Sequence, residues 1–231
     1  MTTFHNLYIS YVNNQRNASF NVETTHRCRL QCPFCQRQRT GGKEKIKLAE
    51  EMSYESMRKI YNFATSINFC GQISDPIYHS NFLKILEIKK NEYPQKKMQI
   101  KTNGSGKKTI WWEKAYDLCD QTIEWTFGLD GASQKTANIY RVGTNFKEVF
   151  EAMILGVKKL CRIEWQFILF EHNEHELELA KKLSKNNGIV LNVIYSNRWP
   201  KEKEYLGLKK SKLQKEIPIQ KYGKKYFTKW K

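Results

Sequence analysis

Three of the six cysteines fall within eight positions, in the segment THRCRLQCPFCQRQ (25–38). Cys28, Cys32 and Cys35 have the spacing C-x-x-x-C-x-x-C, and three thiolates on one tight loop can hold iron or zinc. A structural zinc site takes four protein ligands, and His26 offers a fourth only by reaching back from two positions before Cys28. A ferredoxin-type cluster takes four cysteines, but Cys70, Cys119 and Cys161 sit in apolar segments where a free cysteine behaves as a small hydrophobe. Three thiolates on a 4Fe–4S cluster leave one iron open, and an open coordination position is where chemistry takes place.

Such a loop needs elements to hold it, and the chain alternates short β-rich runs with longer amphipathic segments. SFNVETT (19–25) reads as a first strand. Ser53 then opens a helix with Met57, Ile60, Ala64 and Ile67 at helical spacing. INFCG, KMQIKTNG, TIEWTFGLDG, IEWQFILF and IVLNVIY read as further strands, with NFLKILEIKK, IWWEKAYDLCD, a segment from about Asn145, and LELAKKL as the helices between them. Asn145 with Glu148, and Asn173 with Glu176, have capping-box spacing; Gly188 supplies a helix stop. Six alternations predict an α/β fold of parallel strands joined by right-handed crossovers, either a partial barrel or an open doubly wound sheet. In both, the site belongs at the carboxyl ends of the strands. The polar, glycine-bearing segments CRLQCPFC, GQISDP, TNGSG and LDGAS, and the polar EHNE, fall at those ends.

The 231 residues suffice for one core with an appendage, and no apolar run approaches a membrane span. Sparse cysteines and the lack of a leader pattern point to a reducing cytoplasm. Forty basic residues against 23 acidic give +17, a charge that attracts nucleic acid, phosphorylated metabolites or acidic partners. Eleven lysines and three glutamates between Pro200 and Lys231 make that segment a basic appendage, with LGLKKSKLQKEI its one plausible helix. The expected organisation is a core over 1–199, including a short N-terminal extension (1–17), and a lysine-rich tail over 200–231.

With Phe34 before the third cysteine, the loop resembles the C-x-x-x-C-x-aromatic-C signature of the radical S-adenosylmethionine (radical SAM) enzymes. The resemblance implies a partial (β/α)6 barrel, one 4Fe–4S cluster on Cys28, Cys32 and Cys35, and S-adenosylmethionine on the open iron, cleaved to a 5′-deoxyadenosyl radical that takes hydrogen from a substrate. FCGQISDP is similar to the family's glycine-rich segment for the methionine amino group, which nominates Gly71, Gln72, Ser74 and Asp75, with Asp75 replacing the usual glutamate. KTNGS nominates Thr102 and Asn103 toward the ribose and carboxylate. GLDGASQKTANIYRVG resembles a segment of peptide-modifying members and nominates Asp130, Ser133 and Arg141, and WQFILFEHNEHELELAKKL also resembles that branch, with Leu169 near the adenine. Glu171, His172 and His79 lie in or near site-facing loops. The nearest branch often carries a cysteine-rich extension (SPASM or twitch) for auxiliary clusters, and no cysteine follows Cys161. The resemblance also implies an external one-electron donor of flavodoxin or ferredoxin type. It leans toward a peptide or protein substrate, whereas the charge leans toward a phosphorylated or nucleic-acid substrate. Outside the family reading stands a zinc-containing nucleic-acid-binding module using His26 and the three cysteines.

Overall fold

The computed structural model describes residues 8–10, 19–38, 42, 44, 48–196, 207–215 and 220–222. Among them eight strands form one sheet: β1 (Tyr8–Ser10), β2 (Ser19–Val22), β3 (Ser66–Cys70), β4 (Lys97–Thr102), β5 (Ile123–Gly128), β6 (Arg162–Leu169), β7 (Val190–Tyr195) and β8 (Gln220–Tyr222). The strands lie side by side in chain order. β2 to β7 are parallel, and β1 and β8 flank them antiparallel.

Chain order decides between the two architectures. Each parallel step moves in the same direction, so right-handed crossovers put all the connecting helices on one face. A doubly wound sheet needs a reversal of strand order, and the described sheet contains none. The result is an unclosed (β/α)6 barrel, with helices α1 (Tyr54–Phe63), α2 (Phe82–Glu92), α3 (Thr109–Asp117), α4 (Gln134–Tyr140), α5 (Phe146–Lys158) and α6 (Leu177–Asn186). None of the described helices is long and apolar enough to cross a membrane.

Strand alternation separates two chemistries. Trp125 and Phe127 of β5 face the helix layer, where the Trp112 ring of α3 meets them at 5.5 and 5.3 Å. The other face is polar and knitted across strands: Asn68 donates to Asn21 (2.9 Å), Gln99 to Glu124 (3.0 Å) and Asn192 to Glu164 (2.9 Å). Buried polar groups are generally paired in this way.

The expected caps hold at two helices: Ser53 accepts from Ser56 N and Asn145 from Glu148 N. α1 stops at Ala64, and Ile67 belongs to β3. Asn173 departs from its expected capping role, because its side chain bonds the loop after β6. The basic segment also departs from expectation. Its described part contains a single 3-10 turn at Lys212–Lys215, and it packs on the barrel through β8 and through buried Leu208. Leu206, Glu216 and Ile217 of the predicted helix lie outside the described residues.

At the amino ends of the strands the fold is closed by polar and sulfur contacts. Lys89, fully buried on α2, donates to Asp120 Oδ2 (2.7 Å), Pro94 O (3.1 Å) and Thr122 Oγ1. α5 ends in a Schellman motif, with Leu160 N–H on Val157 O and Cys161 N–H on Gly156 O. The left-handed residue of that motif is usually glycine, but here it is Leu160, at φ 60°.

Candidate active site

The cysteine loop leaves the carboxyl end of β2 and is tied to its neighbours by backbone. Asp75 N–H bonds Arg27 O (2.9 Å), Gln31 N–H bonds Val142 O (3.0 Å), and Arg37 Nη1 reaches both His26 O and Ile73 O at 2.8 Å. Cys28, Cys32 and Cys35 are free thiols. They pack with Leu30, Phe34, Tyr140, Phe170 and Leu208, the Phe34 and Tyr140 rings meeting edge-on at 5.9 Å. Burial, with the Asp75 charge beside it, pushes the Cys28 thiol up to about 12, and burial pushes Cys32 up to about 11. Thiolates in these surroundings need a cationic partner, so the donor set suits a metal cluster. Among the described residues no three His, Cys, Asp or Glu side chains close on one point as a single metal ion requires. A four-iron cluster is instead held at three separate irons.

The loop after β3 lies against this one. Cys35 Sγ donates to Gln72 O (3.4 Å). A side chain at Gly71 would strike Ser74 O, so the turn admits only glycine. Glu23 clamps the loop from β2, its Oε1 accepting from Ile73 N, Ser74 N and Ser74 Oγ at 3.0, 2.8 and 2.7 Å. Asp75 then bridges to the end of β4. Its carboxylate accepts from Thr102 Oγ1 (2.8 and 3.0 Å), from Asn103 N (2.6 Å) and from Asn103 Nδ2. Burial lifts Asp75 to about 6, with these hydrogen bonds opposing the rise. Asn103 Nδ2 also lies 3.5 Å from Cys28 Sγ. Gly71, Gln72, Ser74, Asp75, Thr102 and Asn103 therefore meet the cysteine loop at three adjacent strand ends.

The segment after β5 behaves differently. Asp130 is fully buried and spent internally, Oδ2 on Arg141 Nε (2.6 Å) and Oδ1 on Ile168 N–H (2.7 Å). Burial raises its carboxyl, and the guanidinium partly offsets that. Arg141 is positioned by Asp130, and its terminal nitrogens lie where a Gly128 side chain would stand. Ser133 caps α4, accepting from Thr136 N–H. Leu169 lies apart from these residues. Strand parity turns it into the helix-facing core with Trp165 and Phe167, while Ile168 packs against the cysteine cluster.

Two positioning residues, Glu23 and Arg37, escaped the sequence reading, and two more, Asn173 and Glu176, were read only as a helix-capping pair. Asn173 Nδ2 donates to Asp130 O (3.1 Å) and Ile168 O (3.0 Å), and Glu176 Oε2 accepts from Ala132 N (2.7 Å) and Thr136 Oγ1. Each acts across more than 35 positions or through backbone atoms, for which sequence spacing gives no signal. His172, stacked on Phe170 at 5.3 Å, is pushed toward its neutral form by burial, and Glu171 pairs with Lys212 (3.1 Å).

Fold and site together define a partial (β/α)6 barrel with a cysteine-lined centre at the carboxyl ends of its strands. The radical SAM superfamily model matches residues 22–183, and the chain belongs to that superfamily, whose members use a 4Fe–4S cluster and S-adenosylmethionine. Solved structures share the fold. SuiB of Streptococcus suis bound to S-adenosylmethionine is 15% identical with a TM-score of 0.60, covering 85% of this chain and 45% of its own. anSMEcpe with bound AdoMet is 18% identical at 0.58, covering 79% and 51%, and methylornithine synthase (PylB) is 15% identical at 0.59, covering 85% and 58%. The chain thus spans about half the length of these proteins. No curated protein matches it by sequence.

Proposed function

We propose that this chain holds one 4Fe–4S cluster on Cys28, Cys32 and Cys35 and binds S-adenosylmethionine across the loops after β3, β4 and β5. When bound, the two supply a 5′-deoxyadenosyl radical that takes hydrogen from the substrate. The observation that carries this reading is the Asp75–Thr102–Asn103 network, which lies between two strand ends and reaches Cys28 through Asn103. Asp75, held by donors yet buried, is an acceptor for the ammonium of the methionine moiety, and Arg141, fixed by Asp130, serves its carboxylate. Gly71, Gln72 and Ser74 line the amino-group side, Ser133 closes the segment after β5, and Ile168 takes the adenine side assigned from sequence to Leu169. Phe34, Tyr140, Phe170 and Leu208 exclude water from the cysteines.

The substrate in this proposal is a peptide or protein side chain. Support comes from likeness to SuiB bound to precursor peptide SuiA and to anSMEcpe with bound AdoMet and Cp18Cys peptide. The polar face of the sheet, with its amide and carboxylate hydrogen bonds, suits a peptide backbone. An acidic one-electron donor of flavodoxin or ferredoxin type matches the +17 charge, and a reducing cytoplasm suits the free thiols. The test is anaerobic reconstitution with iron and sulfide, then dithionite and S-adenosylmethionine. Production of 5′-deoxyadenosine is expected. A fully loaded cluster that makes none, indistinguishable from Cys32→Ala, overturns the proposal.

A further inference from the structure

Two cysteines that take no part in the site meet at the opposite end of the barrel. Cys119 follows α3 and Cys161 follows α5, each just before the strand its segment leads into. Both sulfurs hang on successive carbonyls of α3: Cys119 Sγ lies 3.2 Å from Ala115 O, and Cys161 Sγ 3.8 Å from Tyr116 O. Trp125 Nε1–H donates to Cys119 Sγ at 3.1 Å and fixes its rotamer. Cys161 is aimed by the Schellman turn, in which the left-handed Leu160 delivers the next residue back onto Gly156 O.

We propose that Cys119 and Cys161 form a redox-modification site, a dithiol that closes to a disulfide on reaction with a low-molecular-weight disulfide such as oxidised glutathione. The two sulfurs sit on adjacent carbonyls of α3, and the influence of the neighbouring thiol lowers Cys161 and raises Cys119, so Cys161 is the attacking thiolate. Cys161 attacks one sulfur of glutathione disulfide; a mixed disulfide forms and one glutathione thiolate leaves with the proton released. Cys119 then loses its proton and attacks the Cys161 sulfur, expelling the second glutathione. Two protein thiols are oxidised, and one glutathione disulfide is reduced to two thiols. The bridge would staple the loop before β5 to the loop before β6 and leave the cluster cysteines untouched.

The test uses the reconstituted full chain, incubated anaerobically with oxidised glutathione, blocked with N-ethylmaleimide and mapped by mass spectrometry without reduction. The expected result is a peptide cross-linked between Cys119 and Cys161, cleaved by dithiothreitol, with a thermal midpoint raised by roughly 5–10 °C. In Cys119→Ser a single glutathionyl group accumulates on Cys161 and no cross-link appears. Wild-type protein that carries a stable glutathionyl group on Cys161, or leaves both thiols free for the maleimide, overturns the proposal. Because the map is made on wild-type protein, it stands even if the variant does not fold.

Discussion

Two acids at opposite ends of the barrel, Asp120 and Asp75, are held in opposite ways. At the amino ends of the strands Lys89 and Asp120 neutralise each other. Burial alone would raise Asp120, but hydrogen bonds from Lys89 and Thr122 outweigh it and hold the carboxyl below its usual range. At the carboxyl ends Asp75 is surrounded mostly by neutral donors, and burial wins, lifting it to about 6. A closed ion pair serves stability, whereas a buried acid left short of positive charge favours a cationic ligand.

The largest expected effect breaks the working end alone. Cys32→Ala should reduce 5′-deoxyadenosine to background after reconstitution, while the thermal midpoint of the metal-free protein moves little. Lys89→Met should do the reverse, lowering stability by about 1–3 kcal/mol in urea titration because the hydrogen bonds of the buried ammonium are lost while Asp120, 36% exposed, stays partly solvated, with activity per folded molecule unchanged. The two acids should also drive metal-free stability in opposite directions with pH. Asp75, raised in the fold, gives stability that is present below about pH 4 and lost as pH rises through about 6, a fall of roughly 3 kcal/mol. Asp120, lowered in the fold, gives stability that is present above its unfolded pKa and lost as pH falls through its folded one. Urea midpoints of Asp75→Asn and Asp120→Asn between pH 3 and 8 separate the two slopes. The smallest effect is at the base: Leu160→Gly should stabilise by about 1 kcal/mol or less, since glycine relieves the left-handed strain but adds unfolded-state entropy.

The cysteine loop was legible because its three thiols fall within eight positions and need no tertiary knowledge to recognise. The strand ends were legible because each β-rich run closes on polar residues, and Asp75, Thr102 and Asn103 duly meet. α4 was not, since its buried Thr136, Ala137 and Tyr140 make too sparse an apolar stripe over seven residues. β1 and β8, at three residues each, fall below what alternation can reveal. Sequence also gave no signal that separates Leu169 from Ile168, although one position in a strand is the opposite face. Glu23 was invisible, and Glu176 was legible only as a cap, because both clamp backbone amides of loops far along the chain.

Strands that lie in chain order also leave the ribosome in that order. The cysteines belong to the first parallel strand's loop, but Phe170 and Leu208, which bury them, follow late in the sequence. At a ribosomal rate of about 5–20 residues per second, the ~170 residues from Cys32 to Leu208 take on the order of ten to thirty seconds. For that interval the nascent chain presents three reduced thiols to water, and cluster delivery has its widest access before the last unit docks.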